Sequence, residues 1–235
     1  MRYQGGKSRI ATSIAVAIER ERERESNQTF VSLFCGSCAV EAKLAPHFNR
    51  VVCNDKHEYL IEMLKGVQNG YELPEQISEE EYKYIKSHKD EDKILAGFVG
   101  FGCSFGGKFF GGYAKNKEQT NYALQSKKSL LKDIIYLPNA EFTCLDYRDV
   151  DIPNGSIVYA DPPYANTTTY QGQKFDSEAF WEYMRQISKN NQVFISEQTA
   201  PDDFECIWEK PFTRTLDRNK DNQFKVVEKL FTYKK

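Results

Sequence analysis

The 235-residue chain has no apolar run of about 18 residues, so no stretch reads as a membrane-spanning helix. Its first residues form no apolar signal region, which predicts a cytoplasmic protein. Net charge is nearly absent, at −2, and by itself favours no polyanionic partner. A metal-binding pattern is also missing. Of six cysteines, at 35, 38, 53, 103, 144 and 206, only Cys35 and Cys38 are close, and His47, His57 and His88 supply no matched pair. No metal is expected, and the cysteines read as reduced thiols, mostly buried.

What is present fits one α/β domain with an insertion, at 40% apolar residues. The charge is unevenly spread. Residues 72–92 hold eight acidic and three basic side chains, whereas residues 108–132 hold six lysines and one glutamate. A basic segment inside a near-neutral protein suits local contact with phosphates, or else is a solvated surface.

The stretch Tyr159-Ala160-Asp161-Pro162-Pro163-Tyr164 organises the rest. Ser156 to Tyr159 is apolar and follows Pro153-Asn154-Gly155, so it reads as a short buried strand ending at Asp161. Pro162 and Pro163 stop it, since proline lacks the ladder N–H. A carboxylate (Asp161), a carbonyl (Pro162) and a ring (Tyr164) then stand at a strand's carboxyl end, where open α/β sheets bind ligands. Two acceptors beside a stacking ring suit a planar group with an amino substituent, such as a nucleobase; these are the candidate catalytic residues.

Other segments supply partners. Tyr3-Gln4-Gly5-Gly6-Lys7 joins glycines, which allow close backbone approach, to a cation. Thr29 to Phe34 is a strand candidate running into Cys35-Gly36-Ser37-Cys38 and a helix from Ala39 to about His47. That is the first half of a nucleotide-binding βαβ unit, without the full glycine fingerprint of a dinucleotide site. The next strand, Arg50 to Asn54, delivers Asp55 about 20 residues after the glycine turn, where an acid can accept ribose hydroxyls. Phe142 to Leu145 delivers Asp146 and Tyr147 towards the same crevice. Ser78 with Glu81 predicts a capping box. Residues 97–113 interleave seven glycines with aromatics and Lys108, which reads as a loop shaped around a partner through stacking and phosphate contact. Lys108, Phe109, Tyr113, Lys115 and Lys117 are its candidate nucleic-acid contacts. Two late strands without an intervening helix, Phe204 to Phe212 and Phe224 to Tyr233, predict an antiparallel hairpin at a sheet edge.

These motifs, in this order, resemble the Dam-type DNA adenine methyltransferases (D12 class, alpha group), over nearly the whole chain. Tyr3 to Lys7 resembles the family's aromatic-x-Gly-Gly-Lys motif, Phe30 to Ser37 its first S-adenosylmethionine (AdoMet) motif, Asn54-Asp55 its ribose-binding acid, and Asp146-Tyr147 its Asp-aromatic motif. Leu33 and Cys38 depart from it, standing where the family usually has an acid and often a second glycine. The resemblance implies a Rossmann-like, mostly parallel sheet with a reversed edge strand. It implies AdoMet as methyl donor, held by Tyr3, Lys7, Phe34, Gly36, Asp55, Asp146, Tyr147 and Asp161, with the Asp146 carboxylate and Tyr147 ring on the donor's adenine. It implies double-stranded DNA as partner and transfer to the N6 amine of a flipped-out adenine. Residues 1–69 and 137–235 would form the catalytic domain, with 70–136 an inserted target-recognition segment. The basic Phe-Gly-rich segment is similar to phage or prophage enzymes, with or without a partner restriction endonuclease. Alternatives are an amino group in cytosine, RNA or glutamine, or a catalytically degenerate DNA-binding protein.

Overall fold

The computed structural model describes residues 1–24, 28–163, 175–215 and 223–234. Strands β1 (Thr29–Ser32), β2 (Arg50–Asn54), β3 (Glu141–Thr143), β4 (Ile157–Ala160), β5 (Gln192–Glu197), β6 (Phe204–Thr215) and β7 (Gln223–Tyr233) form one sheet. Its order is β3-β2-β1-β4-β5-β7-β6. The first five strands pair in parallel, and β7 runs antiparallel between β5 and the outermost β6. This is the mostly parallel α/β sheet expected, with the late hairpin at its edge.

The alternation of side chains along each strand divides the core in two. Phe30, Cys53, Ile157, Tyr159, Phe194 and Leu230 face one side, under α1 (Ala11–Glu21), α3 (Glu58–Gln68), α5 (Lys93–Gly102) and α6 (Tyr122–Ile134). Val31, Leu33, Val52, Val158, Ala160 and Ile195 face the other, against α7 (Ser177–Ser188). Among the described residues no helix is long and apolar enough to cross a membrane.

Helix α2 (Glu41–Leu44) is shorter than the expected span from Ala39 to His47, because the chain tightens into a 3-10 turn at Ala45–His47 that contains Pro46. Proline has no N–H to continue an α-helical ladder. Helix α4 (Glu79–Ser87) starts at the expected capping box: Glu81 N donates to Ser78 Oγ at 3.1 Å and Ser78 N to Glu81 Oε2 at 2.7 Å.

The glycine-aromatic run differs from the loop expected of it. Gly97, Gly100 and Gly102 lie buried inside α5. A Cβ at Gly97 would stand inside contact distance of the Tyr59 carbonyl oxygen and 2.8 Å from Met63 Cβ, so glycine lets α5 press on α3 backbone to backbone. The non-helical remainder begins at Cys103, with a 3-10 turn at Phe105–Gly107. Gly107, at φ +69, touches the backbone of Arg2 and Tyr3. Residues 70–136 therefore share the core with the sheet.

Candidate active site

Chain direction sets the location. From β1 the chain moves outward through β2 to β3, then returns to the opposite side of β1 with β4. Between β1 and β4 the strand order reverses, and such a point opens a crevice at the carboxyl ends. The loop after β1 carries Phe34, Gly36 and Ser37; the loop after β4 carries Asp161 and Pro162. Their bases are tied together, since Leu33 N donates to Tyr159 O at 3.0 Å and Cys35 N to Asn54 O at 2.7 Å.

The amino-terminal segment lies across this crevice. Gln4 N donates to Gly107 O at 3.1 Å, and Gly6 N to Tyr3 O at 3.0 Å. The Tyr3 ring packs on the turn at Gly36, whose φ is +48; a Cβ there would stand 3.0 Å from the ring. Glycine is required by both the left-handed backbone and the ring above it. Lys7 is buried, and its Nζ lies 2.8 Å from Asp161 Oδ1 and 3.1 Å from Glu228 Oε1. Two residues singled out from motifs about 150 residues apart thus form one ion pair. Pro162 is buried and Pro163 partly exposed. Tyr164 lies outside the described residues.

Three further carboxyls surround the pair, none legible as a motif. Glu228, on β7, is fully buried. Glu197, ending β5, has its carboxyl pushed up to about 7, by burial first and then by the charges of Asp161 and Glu228. Glu41, opening α2, is pushed up to about 8 by burial and then by Asp161, against the Ser32 hydroxyl that donates to it at 2.7 Å. For Glu228 a signal existed: it shares strand parity with Leu230, wholly buried, while its neighbour Val227 is exposed. An acid on the buried side of an apolar strand needs a partner.

Asp55 accepts Gly36 N at 3.1 Å on one oxygen and His57 N at 2.9 Å on the other. Burial pushes its carboxyl up to about 6 despite these donors. Asn54 braces the neighbouring loops with its whole amide. Its Nδ2 donates to Leu33 O and Leu145 O at 3.0 and 3.1 Å, and its Oδ1 accepts from Thr143 Oγ1 and Leu145 N at 2.9 and 3.0 Å. Beyond that brace, Asp146 is held by Arg148 (Nε 2.8 Å, Nη2 3.2 Å) and by Lys56 Nζ at 3.1 Å. The Arg148 bonds keep its carboxyl well below the usual range. The Tyr147 ring packs 5.3 Å from Phe34, and Phe175 and Phe180 complete an aromatic wall.

The candidate nucleic-acid contacts fall in different surroundings. Lys108 and Lys117 are exposed. Lys115 pairs with Glu79 at 2.9 Å, and Lys127 with Glu75 at 3.1 Å, so the basic segment meets the acidic one across the fold. Phe109 sits among His57, Tyr59, Phe101 and Phe110, with ring centres 4.5 to 5.2 Å away. The Tyr113 hydroxyl donates to Ile77 O at 2.7 Å. Cys35 and Cys38 are both buried free thiols, and burial raises both far above the ordinary thiol value.

The chain matches the D12 class N6 adenine-specific DNA methyltransferase family over residues 3–96 and 104–207. It belongs to that family. The matched residues run from Tyr3 through Asp161 and into β6. The protein is accordingly an AdoMet-dependent methyltransferase. Solved structures that it resembles include the rRNA methyltransferase aviRa from Streptomyces viridochromogenes, at 13% identity and a TM-score of 0.45, covering 97% of this chain and 85% of that one. Another is the tRNA (m1A58) methyltransferase TrmI from Aquifex aeolicus, at 12% identity and a TM-score of 0.42, covering 96% and 69%. At such distance neither bears on what this methyltransferase modifies.

Proposed function

We propose that this methyltransferase acts on the N6 amine of an adenine in double-stranded DNA, extruded from the helix into the crevice beside Asp161. The observation that carries the reading is the Lys7–Asp161 pair, 2.8 Å long, at the carboxyl end of β4 immediately before the Pro162 carbonyl. The family match supports the target, and the chemistry supports the roles.

An amine inside a duplex is out of reach, so the base must leave the stack. The Asp161 carboxylate and the Pro162 carbonyl accept its two N–H groups. This holds the nitrogen lone pair in one direction and makes the amine more electron-rich. Lys7 fixes the carboxylate's orientation, which is worth more when set in advance than when found during the reaction. No strong base is required: the N–H becomes acidic only as the new bond forms, and Asp161 stands ready to take the proton. Tyr164 is assigned the stacking role, replacing part of the lost base stacking.

The residues after β1 and β2 fit AdoMet, which supplies an electrophilic methyl group when bound. Ser37 Oγ is buried with no hydrogen-bond partner among the described residues, in the turn at Gly36 beneath the Tyr3 ring. A carboxylate has about four acceptor sites. Asp55 spends one on Gly36 N and one on His57 N, leaving room for ribose hydroxyls. The Phe34–Tyr147 wall is assigned the donor's adenine, with Tyr3 and Asp146 closing the site. Residues 70–136 are assigned target recognition, with Lys108 and Lys117 on backbone phosphates.

The test is methyl transfer from labelled AdoMet to DNA, RNA and protein side by side, with the modified residue identified by mass spectrometry. N6-methyladenine in DNA is expected from the wild type and none from Asp161→Ala. Label in cytosine, RNA or protein would reject the target, and near-wild-type transfer by the variant would remove Asp161 from the chemistry.

A further inference from the structure

Glu228 is a second acid on a lysine that already has one. Glu228 is wholly buried, more so than Asp161 itself, and a carboxylate in such a place is costly unless it is paired. Its pairing with the ammonium that also holds Asp161 ties the two acids to one cation. Nζ stands 2.8 Å from Asp161 Oδ1 and 3.1 Å from Glu228 Oε1, so the ammonium is shared.

We infer that Glu228 is a positioning residue for Asp161, acting through Lys7: it anchors the ammonium to β7 and draws off part of its charge, so that Asp161 is oriented without being neutralised as an acceptor for the substrate amine. The inference rests on the functional reading above and extends it to a strand outside the matched residues, which end at 207. Two links support it. β7 pairs with β5 in antiparallel register, Lys229 opposite Glu197, which places Glu228 beside the end of β5 and hence beside the active loop after β4. The other acids near Lys7 are held differently. Glu197, facing Asp161, Lys7 and Glu228, is pushed up to about 7. Glu41, which faces Asp161 and bonds Ser32, is pushed up to about 8. Tyr159, beneath Asp161, is raised as well and bonds Ser196 at 2.9 Å. Burial thus drives these groups towards their neutral forms, whereas Asp161 and Glu228 both lie within salt-bridge distance of the Lys7 ammonium.

The test is a kinetic comparison of wild type, Glu228→Gln, Glu228→Asp and Asp161→Asn, with genomic DNA from a methylation-free host as substrate. AdoMet affinity is measured by calorimetry and folding by thermal melting. In Glu228→Gln, kcat is expected to fall about tenfold or more, with AdoMet affinity within about twofold of wild type. The acid limb of the pH–rate profile should move to lower pH, because the charge of Glu228 helps to raise Glu197 and its removal eases that ionisation. A folded Glu228→Gln with wild-type kcat overturns the inference. So does a parallel loss of kcat, AdoMet affinity and melting temperature with no movement of the limb, which is the signature of a merely structural residue. Should the glutamine variant fail to fold, Glu228→Asp carries the test. It keeps the charge but is one methylene short of Lys7, so a lowered kcat at retained AdoMet affinity is expected, and an unchanged kcat overturns the inference. Asp161→Asn separates the two levels. If it stays active, the functional reading fails; if it is dead while both Glu228 variants are wild-type, only the role of Glu228 fails.

Discussion

Glu41 should make this protein less stable in alkali, and neutralising it should reverse the effect. The side chain is 2% exposed at the start of α2 and accepts the Ser32 hydroxyl at 2.7 Å. Burial raises its carboxyl from an ordinary 4.5 to about 8. A group whose folded value lies above its unfolded one binds more protons in the native state between the two. Its stabilising contribution is then complete below the unfolded value and is lost as pH climbs through the folded one. The direction is opposite to that of a salt-bridged acid. At about 1.4 kcal/mol for each unit of pH, the interval sets a ceiling of about 5 kcal/mol; relaxation around an ionised carboxylate brings the working figure to about 2–3 kcal/mol. Glu41→Gln keeps the shape and an oxygen for Ser32 while deleting the titration. Unfolding free energies from urea titrations should lie closest for variant and wild type at pH 4.5 and below, separate steadily from about pH 5 to about pH 8, and keep a constant difference above that. By pH 9 the variant should be the more stable by about 2–3 kcal/mol, or about 5–10 °C in melting temperature for a chain of this size. Asp55 and Glu197, raised to about 6 and about 7, give both proteins a further common decline that cancels in the difference. Two curves that stay parallel from pH 5 to 9 would show that Glu41 is not held neutral by its surroundings, and the reasoning would fail.

Gly97→Ala should destabilise the protein by about 3 kcal/mol, seen as a lower urea midpoint, because the added methyl meets the Tyr59 backbone carbonyl, which cannot rotate away as a side-chain tip would. An unchanged midpoint would mean that α3 and α5 do not need this approach. Neutralising the exposed lysines should separate them by partner: Lys108→Gln and Lys117→Gln should each lower the salt slope of DNA binding by about one, whereas Lys115→Gln, whose charge already meets Glu79, should change it less. Equal slopes for all three variants would refute the phosphate role of the first two.

The strands were legible because their apolar runs are short, bounded by glycine, proline or charge, and too brief for helices. The Asp161 loop was legible for a related reason: Asp161 follows such a run, and two prolines forbid the strand to continue. What a linear reading handles badly is contact between distant segments. Six lysines between residues 108 and 132 look like a basic surface, yet Lys115 and Lys127 are spent on Glu79 and Glu75 of the acidic stretch that precedes them. Gly97, Gly100 and Gly102 look like a loop, because glycine interrupts helices in isolation. Their neighbours Phe98, Val99 and Phe101 are apolar on every side, as in a fully buried helix, and there the absent side chains serve packing.

The same lesson bears on the site. Lys7 and Asp161 were each found from a local motif, and the fold brings them to 2.8 Å. Glu228 has no motif. Its only sequence signal is position, as an acid on the buried parity of a strand beside Leu230. That signal becomes chemistry only once antiparallel pairing carries β7 back against β5 and sets the acid on the lysine that the amino-terminal segment supplies. A late hairpin read as a sheet-edge device thus also brings an acid to the lysine beside Asp161. On the proposed function, β7 and the reaction share one buried ammonium, so a substitution that loosens the pairing of β7 with β5 should reach the chemistry at Asp161 through Lys7 rather than through any contact with substrate.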